Sequence, residues 1–239
     1  MNLDEIKKLH QKKHRESAGR YLIEGEHLVL ELQKAAAHDP RLLGSEIYVT
    51  HEHEHWPSPF KTHRINTRQM AQITETQAPQ GIAAVVPLLP APAPNAEERC
   101  VYLYEIQDPG NLGTILRTMA WFGNLRCLLS PDCVDPHNSK VVRASMGAIF
   151  HVPVEINVEL RTLRPRFAHI ACLDLQGRPL NTAGFKDFGC YLFGNEARGL
   201  PGDDLVALDA ARFTIAGSGQ IESLNLASTV NMCLYEINR

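Results

Sequence analysis

Residues 108–118 read Asp108-Pro109-Gly110-Asn111-Leu112-Gly113-Thr114-Ile115-Leu116-Arg117-Thr118 and directly follow an apolar run that begins at Val101. The apolar run predicts a strand over Val101–Glu105, and Pro109 with Gly110 predicts a turn after it. The apolar spacing that follows predicts a helix over Leu112–Phe122. A strand that passes through a tight turn into a helix is typical of α/β folds with a parallel sheet.

The same alternation continues to the C-terminus. It predicts strands at Arg126–Leu129, His169–Asp174, Cys190–Phe193 and Arg212–Ile215, and helices at Ser139–Phe150, after Pro201, and at Leu224–Ile237. The fold class expected is therefore α/β, with a mostly parallel sheet covered by helices on both faces. In such sheets ligands bind at the carboxyl ends of the strands.

A proline- and alanine-rich stretch over residues 87–99 separates this part from the N-terminal third. Proline lacks the donor that helices and central strands require, so the stretch predicts a semi-rigid linker. The predicted domains are 1–86 and 100–239. Within 1–86, a helix near Gly25–Ala37, a strand at Glu46–Thr50, a helix near Thr67–Ile73 and a strand at Gly81–Val86 indicate a small α/β domain.

Composition narrows the class of protein. The chain has 239 residues, 44% of them hydrophobic, and a formal net charge of −3. The charge argues against a chain that simply coats nucleic acid. The most apolar stretch, Gly81 to Pro94, is broken by prolines before it could span a bilayer, so we expect a cytoplasmic protein. Six cysteines without Cys-x-x-Cys spacing predict reduced, buried thiols rather than a disulfide framework or a zinc site.

Two further stretches carry chemistry: Phe193-Gly194-Asn195-Glu196-Ala197-Arg198-Gly199-Leu200 and Ile221-Glu222-Ser223-Leu224-Asn225-Leu226-Ala227-Ser228. Taken in order with residues 108–118, they resemble the motif set of the SpoU/TrmH family of RNA ribose 2′-O-methyltransferases. The resemblance is close from Cys100 to the C-terminus and looser before it. It implies S-adenosylmethionine as cofactor, a deep trefoil knot of the Rossmann-like SPOUT type, and a homodimer in which both subunits complete each active site.

The resemblance also implies that Asn111 and Arg117 contact the target ribose and its phosphate. A guanidinium with a pKa above about 12 is effectively never deprotonated, so we interpret Arg117 as a fixed positive charge rather than a general base. Glu196 ends an apolar strand, where a carboxylate is costly unless paired. We expect it to organise the site, in company with Arg117, or simply to cap the following turn.

The remaining motif residues point to the cofactor. Phe193 and Gly194 would let the backbone approach it, and Gly199 would permit a chain reversal. Ile215-Ala216-Gly217-Ser218-Gly219 stands where the family usually has Ile-Pro-Met-x-Gly, which assigns Ile215 and Gly219 to the cofactor loop. Leu224 would form a wall for the adenine, with Ser223 capping the final helix and Asn225 retained beside it.

Basic residues outnumber acidic residues in the first twenty positions. They are either a solvated helix face or an RNA surface, and the family resemblance favours RNA contacts by Lys12, Lys13 and Arg15. Arg143, with Ser145, lies in a segment that also resembles the family and is a second-tier candidate. The residues His51, His53 and His55 would share one strand face, but no fourth ligand is evident, so no metal is predicted.

The favoured function is therefore S-adenosylmethionine-dependent methylation of a ribose 2′-hydroxyl in RNA. Residues 13–25 look like the start of a ribosomal-protein-like substrate-binding domain, which favours ribosomal RNA over transfer RNA. A catalytically silent RNA-binding or ribosome-assembly factor on the same fold is an alternative, because the cofactor loop is altered. A nicotinamide-dependent oxidoreductase is disfavoured, because no Gly-x-Gly-x-x-Gly follows Val101–Glu105.

Overall fold

The structure is a computed structural model that describes residues 1–95 and 97–239. The chain forms two compact units. The first comprises Met1–Pro90 with Asp135–His151, and the second comprises Ala91–Val134 with Val152–Arg239. Both are built from helices and strands, as the sequence predicts.

The described residues form the following elements. The helices are α1 (Leu3–Lys8), α2 (Lys12–Ala18), α3 (Glu26–Ala36), α4 (Thr67–Ile73), α5 (Pro109–Phe122), α6 (Ser139–Ser145), α7 (Leu163–Arg166), α8 (Gly202–Ala207) and α9 (Leu226–Asn238). The strands are β1 (Arg20–Glu24), β2 (Glu46–Val49), β3 (Lys61–Arg64), β4 (Ile82–Pro87), β5 (Arg99–Leu103), β6 (Leu125–Leu129), β7 (Val154–Glu155), β8 (Ile170–Pro179), β9 (Cys190–Phe193) and β10 (Ala211–Thr214).

The first unit is built on a mixed four-stranded sheet in the order β1-β4-β2-β3. Alternate residues of β4 face opposite sides of this sheet. Ile82 and Ala84 join the core that the apolar stripe of α3 covers, whereas Ala83 and Val85 join a second core with residues of α1 and α4.

Residues 135–151 belong to the first unit, not to a continuous domain over 100–239. The guanidinium of Arg15 donates to the Asp135 carboxylate, and its Nη1 donates to the carbonyl oxygens of Leu9 (2.7 Å) and His10 (2.9 Å). Val142 of α6 is 1% exposed and lies in the core that α3 covers. A buried ion pair and a core side chain thus hold this segment, which motif spacing alone assigns to the catalytic part.

The expected linker is anchored at both ends. The Leu88 amide donates to the Gly19 carbonyl (2.8 Å), and Leu88 and Leu89 pack against the first unit's core. At the other end the Pro92 carbonyl accepts from Arg126 Nη2 (2.9 Å) within the second unit. Ala96, which the predicted linker includes, lies outside the described residues.

The second unit carries a six-stranded sheet in the order β10-β8-β9-β5-β6-β7, with every neighbouring pair parallel. Strands β6 and β9 are buried throughout, as expected for a sheet covered on both faces. From β5 the chain moves outward through β6 to β7, and it returns on the other side through β8 and β9. The strand order therefore reverses between β5 and β9, which is where ligands bind in open α/β sheets.

Two elements differ from the sequence prediction. The helix expected over Ser139–Phe150 ends at Ser145, because Met146 and Gly147 are left-handed (φ 50° and 91°), and a 3-10 turn follows at Ala148–Phe150. The three histidines share no strand face, because His51–His53 form a 3-10 turn.

No helix among the described residues has both the length and the apolar character needed to cross a membrane. The six cysteines are all free, and five of them are buried. Burial raises the pKa of Cys172 to about 11, and burial likewise raises the pKa of Cys100 to about 12. These thiols are thus protonated at neutral pH and inert as nucleophiles.

Candidate functional site

The three sequence motifs meet at one cavity of the second unit, at the carboxyl ends of β5 and β9 and along the middle of β8. Its volume is about 1090 Å³, slightly above the range of about 300–1,000 Å³ usual for small-molecule pockets. Asn111, residues 193–200 and residues 222–226 all line it, as do residues 173–176 from β8. The predicted convergence on the strand ends is therefore observed.

The loop after β5 enters α5 through a capped turn. Asp108 is the N-cap, and its Oδ1 accepts from the Asn111 amide (2.7 Å). Pro109 occupies the first helical position, where its missing N–H costs nothing. Asp108 therefore fixes the backbone from which the Asn111 side chain projects.

Glu196 ties this turn to the loop after β9. Its carboxylate accepts from the backbone amides of Gln107 and Asp108 (3.3 Å each) and from Asn111 Nδ2 (3.2 Å). Glu196 is exposed, so the burial cost expected from its place after apolar β9 does not arise, and its three hydrogen bonds serve to join the two loops. The two backbone bonds hold the residues just before α5, and the third orients Asn111. This arrangement fits the predicted organising role.

Asn111 also bridges to the third motif. Asn225 Nδ2 donates to Asn111 Oδ1 (2.9 Å), while Asn225 Oδ1 accepts from the Ser228 amide (3.2 Å) and caps α9. The predicted cap by Ser223 is therefore wrong, because α9 begins at Leu226 and its N-cap is Asn225. Ser223 lines the cavity instead. Asn111 keeps one N–H and one lone pair for a ligand.

The glycine loop of residues 194–200 has a backbone that only glycine permits. A Cβ on Gly194 would lie 2.3 Å from the Gly199 carbonyl carbon, and Gly199 itself has φ +68°. The backbones of Asn195 and Gly199 exchange two hydrogen bonds (2.9 and 3.0 Å), which close the loop. The loop thus lines the cavity with two glycines that leave its backbone accessible at both ends.

Two predicted cofactor residues lie elsewhere. Ile215 lines a second groove of about 510 Å³ together with Pro179, Leu180 and Tyr235, and Gly219 lines neither cavity. The register between β10 and β8 jumps from Arg212–Cys172 to Phe213–Arg178. The chain therefore leaves β10 beside Pro179, away from the part of β8 that lines the motif cavity.

Arg117 does not line the motif cavity either. It is exposed on α5, six residues beyond Asn111, which places it about 9 Å further along the helix and about 120° around it. Among the described residues no carboxylate pairs with Arg117, and Glu196 bonds to other partners. The contact expected between Glu196 and Arg117 is therefore not observed within one chain.

The four predicted RNA contacts all belong to the first unit, on α2 and α6, which both pack against β1. Lys12 and Lys13 are exposed. Arg15 is 3% exposed and bound to Asp135, so its prediction as an RNA contact is wrong. Arg143 is partly buried, and within the described chain its Nη1 has no hydrogen-bond partner.

No cluster of three or more potential metal ligands occurs in the described part of the chain. The sequence did not single out Asp108 or Asn195, which hold the two loops. Both residues lie within the quoted motifs, and that position is the sequence signal that could have identified them.

Two family models match the chain: the SpoU rRNA Methylase family over residues 98–235 and the MRM3-like substrate binding domain over residues 2–84. A relative from Bacillus subtilis (strain 168), named 23S rRNA (guanosine(2553)-2'-O)-methyltransferase RlmP, is 31% identical over 97% of this chain and 93% of its own length.

Solved structures agree over the full length. A putative RNA methyltransferase of the TrmH family from Porphyromonas gingivalis has a TM-score of 0.85 and 27% identity, covering 99% of this chain and 96% of its own. An AdoMet-bound rRNA methyltransferase from Sinorhizobium meliloti has a TM-score of 0.82 and 29% identity, covering 98% and 93%. With its three motifs gathered on one cavity, this chain belongs to the SpoU rRNA methylase family.

Proposed function

We propose that this protein is an enzyme that methylates a ribose 2′-hydroxyl of ribosomal RNA with S-adenosylmethionine. The observation that carries the proposal is the link from Glu196 through Asn111 to Asn225, which joins all three motifs on the rim of one cavity. Relatives whose names state ribosomal RNA methylation support the substrate class over transfer RNA. We place the enzyme in the cytoplasm.

The cavity fits an adenosyl cofactor. Gly194 and Gly199 offer backbone groups without side chains at the two ends of the loop, and Leu224, 43% exposed, offers an apolar wall for a purine. When bound, S-adenosylmethionine would supply an electrophilic methyl group. Phe193, Gly194, Gly199 and Leu224 remain the proposed cofactor contacts, and the trefoil knot around these motifs stays a prediction.

Transfer of that methyl group requires the 2′-oxygen to approach in line, so positioning contributes most of the rate enhancement. Glu196 and Asn225 hold the Asn111 amide, which lines the cavity and keeps one N–H and one lone pair for a ligand. A fixed positive charge near the 2′-oxygen would stabilise the charge that develops there. Arg117 is proposed for this role, and Lys12 and Lys13 are proposed as RNA contacts of the first unit.

Arg117 reaches such a site most simply from a second subunit. Helices α5 and α9 run parallel, because Asn111 contacts Asn225 at one end and Thr118 contacts Asn231 further on. One turn beyond lie Trp121 on α5, 85% exposed, and Tyr235 on α9, 60% exposed. Tyr235 also lines the groove of residues 179–181 and 214–216. An exposed apolar face of this kind marks a protein interface.

We therefore propose a homodimer through α5 and α9. Sedimentation equilibrium of the purified protein should give the mass of two chains. Replacing both aromatic residues (Trp121→Glu and Tyr235→Glu) should give monomers, because two carboxylates would be buried unpaired. A wild-type monomer at micromolar concentration would contradict the dimer.

The silent RNA-binding factor remains the second candidate, because Ala216 and Gly217 replace the usual proline and methionine. Calorimetric titration with S-adenosylmethionine should give one site per chain. Mapping ribose methylation in ribosomal and transfer RNA, in cells with and without the gene, should show one ribosomal position that is lost. Absence of both cofactor binding and a lost methyl group would favour the silent factor.

A further inference from the structure

Asn195 occupies the junction of the two loops that build the motif cavity. Its side chain is 8% exposed although it lies in a loop. A buried amide must have its polar atoms bonded, so its partners show what it holds.

One end of the amide shapes the glycine loop. Oδ1 accepts from the backbone amides of Ala197 (3.0 Å) and Arg198 (3.1 Å), which holds residues 195–198 in a turn. The other end crosses to the loop after β5, where Nδ2 donates to the Glu105 carbonyl (2.7 Å). The same side chain thus sets the shape of one loop and its distance from the other.

Glu105, the recipient of that bond, is held from several sides. It is left-handed (φ 47°), which is uncommon for a residue other than glycine, asparagine or aspartate. Its amide donates to Ser130 Oγ (2.8 Å), and its carboxylate accepts from Arg198. Strained positions persist only where the surroundings over-determine them, and they concentrate at functional sites.

We infer that Asn195 is a positioning residue for methyl transfer, which fixes the cofactor-side glycine loop against the turn that carries Asn111. The inference rests on the proposed function. Glu196, the residue after Asn195, accepts hydrogen bonds from the backbone amides of Gln107 and Asp108, two and three residues after Glu105. Both side chains therefore join the two loops by hydrogen bonds. Asn195 is the donor in its bond, and Glu196 is the acceptor in its bonds. Loss of the hydrogen bond from Asn195 to Glu105 would shift Asn111 relative to the cofactor.

The variant Asn195→Asp isolates the crossing bond. Aspartate keeps the Oδ1 acceptor and hence the turn, but it places an oxygen instead of Nδ2 against the Glu105 carbonyl. At pH 8 we expect kcat to fall about 10- to 100-fold, because misplacement by about 1 Å can cost that much. KM for RNA should stay unchanged, since the change lies on the cofactor side of the cavity.

Acidification separates positioning from simple loss of stability. Burial raises the pKa of a carboxyl, and a protonated carboxyl can donate to the carbonyl as Nδ2 does. The kcat of Asn195→Asp relative to wild type should therefore rise as pH falls from 8 to 6. The matched control is Asn157→Asp, on an exposed asparagine just after β7 whose side chain makes no hydrogen bond within the described chain, and it should follow wild type at every pH.

Three measurements decide the matter: kcat and KM across pH, thermal unfolding, and calorimetric cofactor affinity of each variant. A pH-dependent kcat defect with a melting temperature near wild type supports the inference. Wild-type kcat in Asn195→Asp, or a pH-independent loss that follows the melting temperature, would overturn it. An inactive wild-type protein would instead overturn the proposed function, and the cofactor affinity of Asn195→Asp would still report on the loop.

Discussion

Replacement of Arg117 by alanine should reduce the single-turnover rate of methyl transfer about a hundred- to a thousand-fold at saturating RNA. Removing one preorganised contact to a developing oxyanion typically costs about 2.7–4 kcal/mol. Arg117 is exposed and pairs with no carboxylate of the described chain, so its loss should leave the free energy of unfolding within about 0.5 kcal/mol of wild type. Cofactor affinity should also be retained, because Arg117 does not line the motif cavity.

Two variants sharpen this experiment. Arg117→Lys keeps the charge but loses the planar fork, so partial activity is expected. Arg161→Ala removes an exposed arginine on a 3-10 turn of the same unit and should leave the rate unchanged. A rate near wild type for Arg117→Ala would remove this residue from the mechanism.

Mixed dimers test which subunit supplies Arg117. Arg117→Ala and Glu196→Ala should each be nearly inactive alone. In a co-expressed mixed dimer, the Glu196→Ala chain still carries Arg117, and its partner still carries an intact cavity. One of the two sites is then complete, so activity should return. No recovery in a verified mixed dimer would mean that Arg117 acts within its own chain.

Replacement of Asp135 by alanine should destabilise the protein by about 3–5 kcal/mol, because it leaves a buried guanidinium unpaired. The Arg15 side chain is 4% exposed and that of Asp135 is 15% exposed. Urea unfolding would measure the loss. Glu16→Ala, which breaks an exposed pair with Lys12, should cost only about 0.3–0.5 kcal/mol.

A double replacement distinguishes the broken pair from lost packing. Arg15→Met with Asp135→Leu removes both charges, so it should be less destabilising than Asp135→Ala alone. If the double variant were the weaker protein, packing of the segment rather than its ion pair would dominate.

The same carboxylate gives stability a dependence on pH. Burial alone would raise the pKa of Asp135, but hydrogen bonds from His137 and Arg15 outweigh it and hold that pKa well below its usual value. An unfolded aspartate titrates near about 3.9. The contribution is therefore complete above about pH 4 and is lost as pH falls toward the native pKa. Below about pH 4, wild type should lose stability more steeply than Asp135→Asn.

The central parts of the second unit could be predicted from sequence because their signals are local. The apolar run at Cys190–Phe193 has the bounds of β9, and α5 begins only three residues before its predicted start because Pro109 occupies its first turn. In contrast, β3 reads Lys-Thr-His-Arg at the edge of its sheet, so no apolar pattern marks it.

The site was predictable in its membership but not in its connections. Motif spacing identified Asn111, Glu196 and Asn225, yet it could not show that they bond to one another or that Arg117 points away from them. Arg15 was misassigned because a basic run does not reveal that one of its members meets a carboxylate 120 residues later. Such long-range pairings depend on the packing of the whole unit.

The discontinuity of the first unit bears on how the nascent chain folds. Domains usually fold N-terminal first as they leave the ribosome. Here Arg15 and the core beneath α3 must wait for Asp135 and Val142, which are synthesised after β5, α5 and β6 of the other unit. The N-terminal unit is therefore complete only once residue 151 has been synthesised.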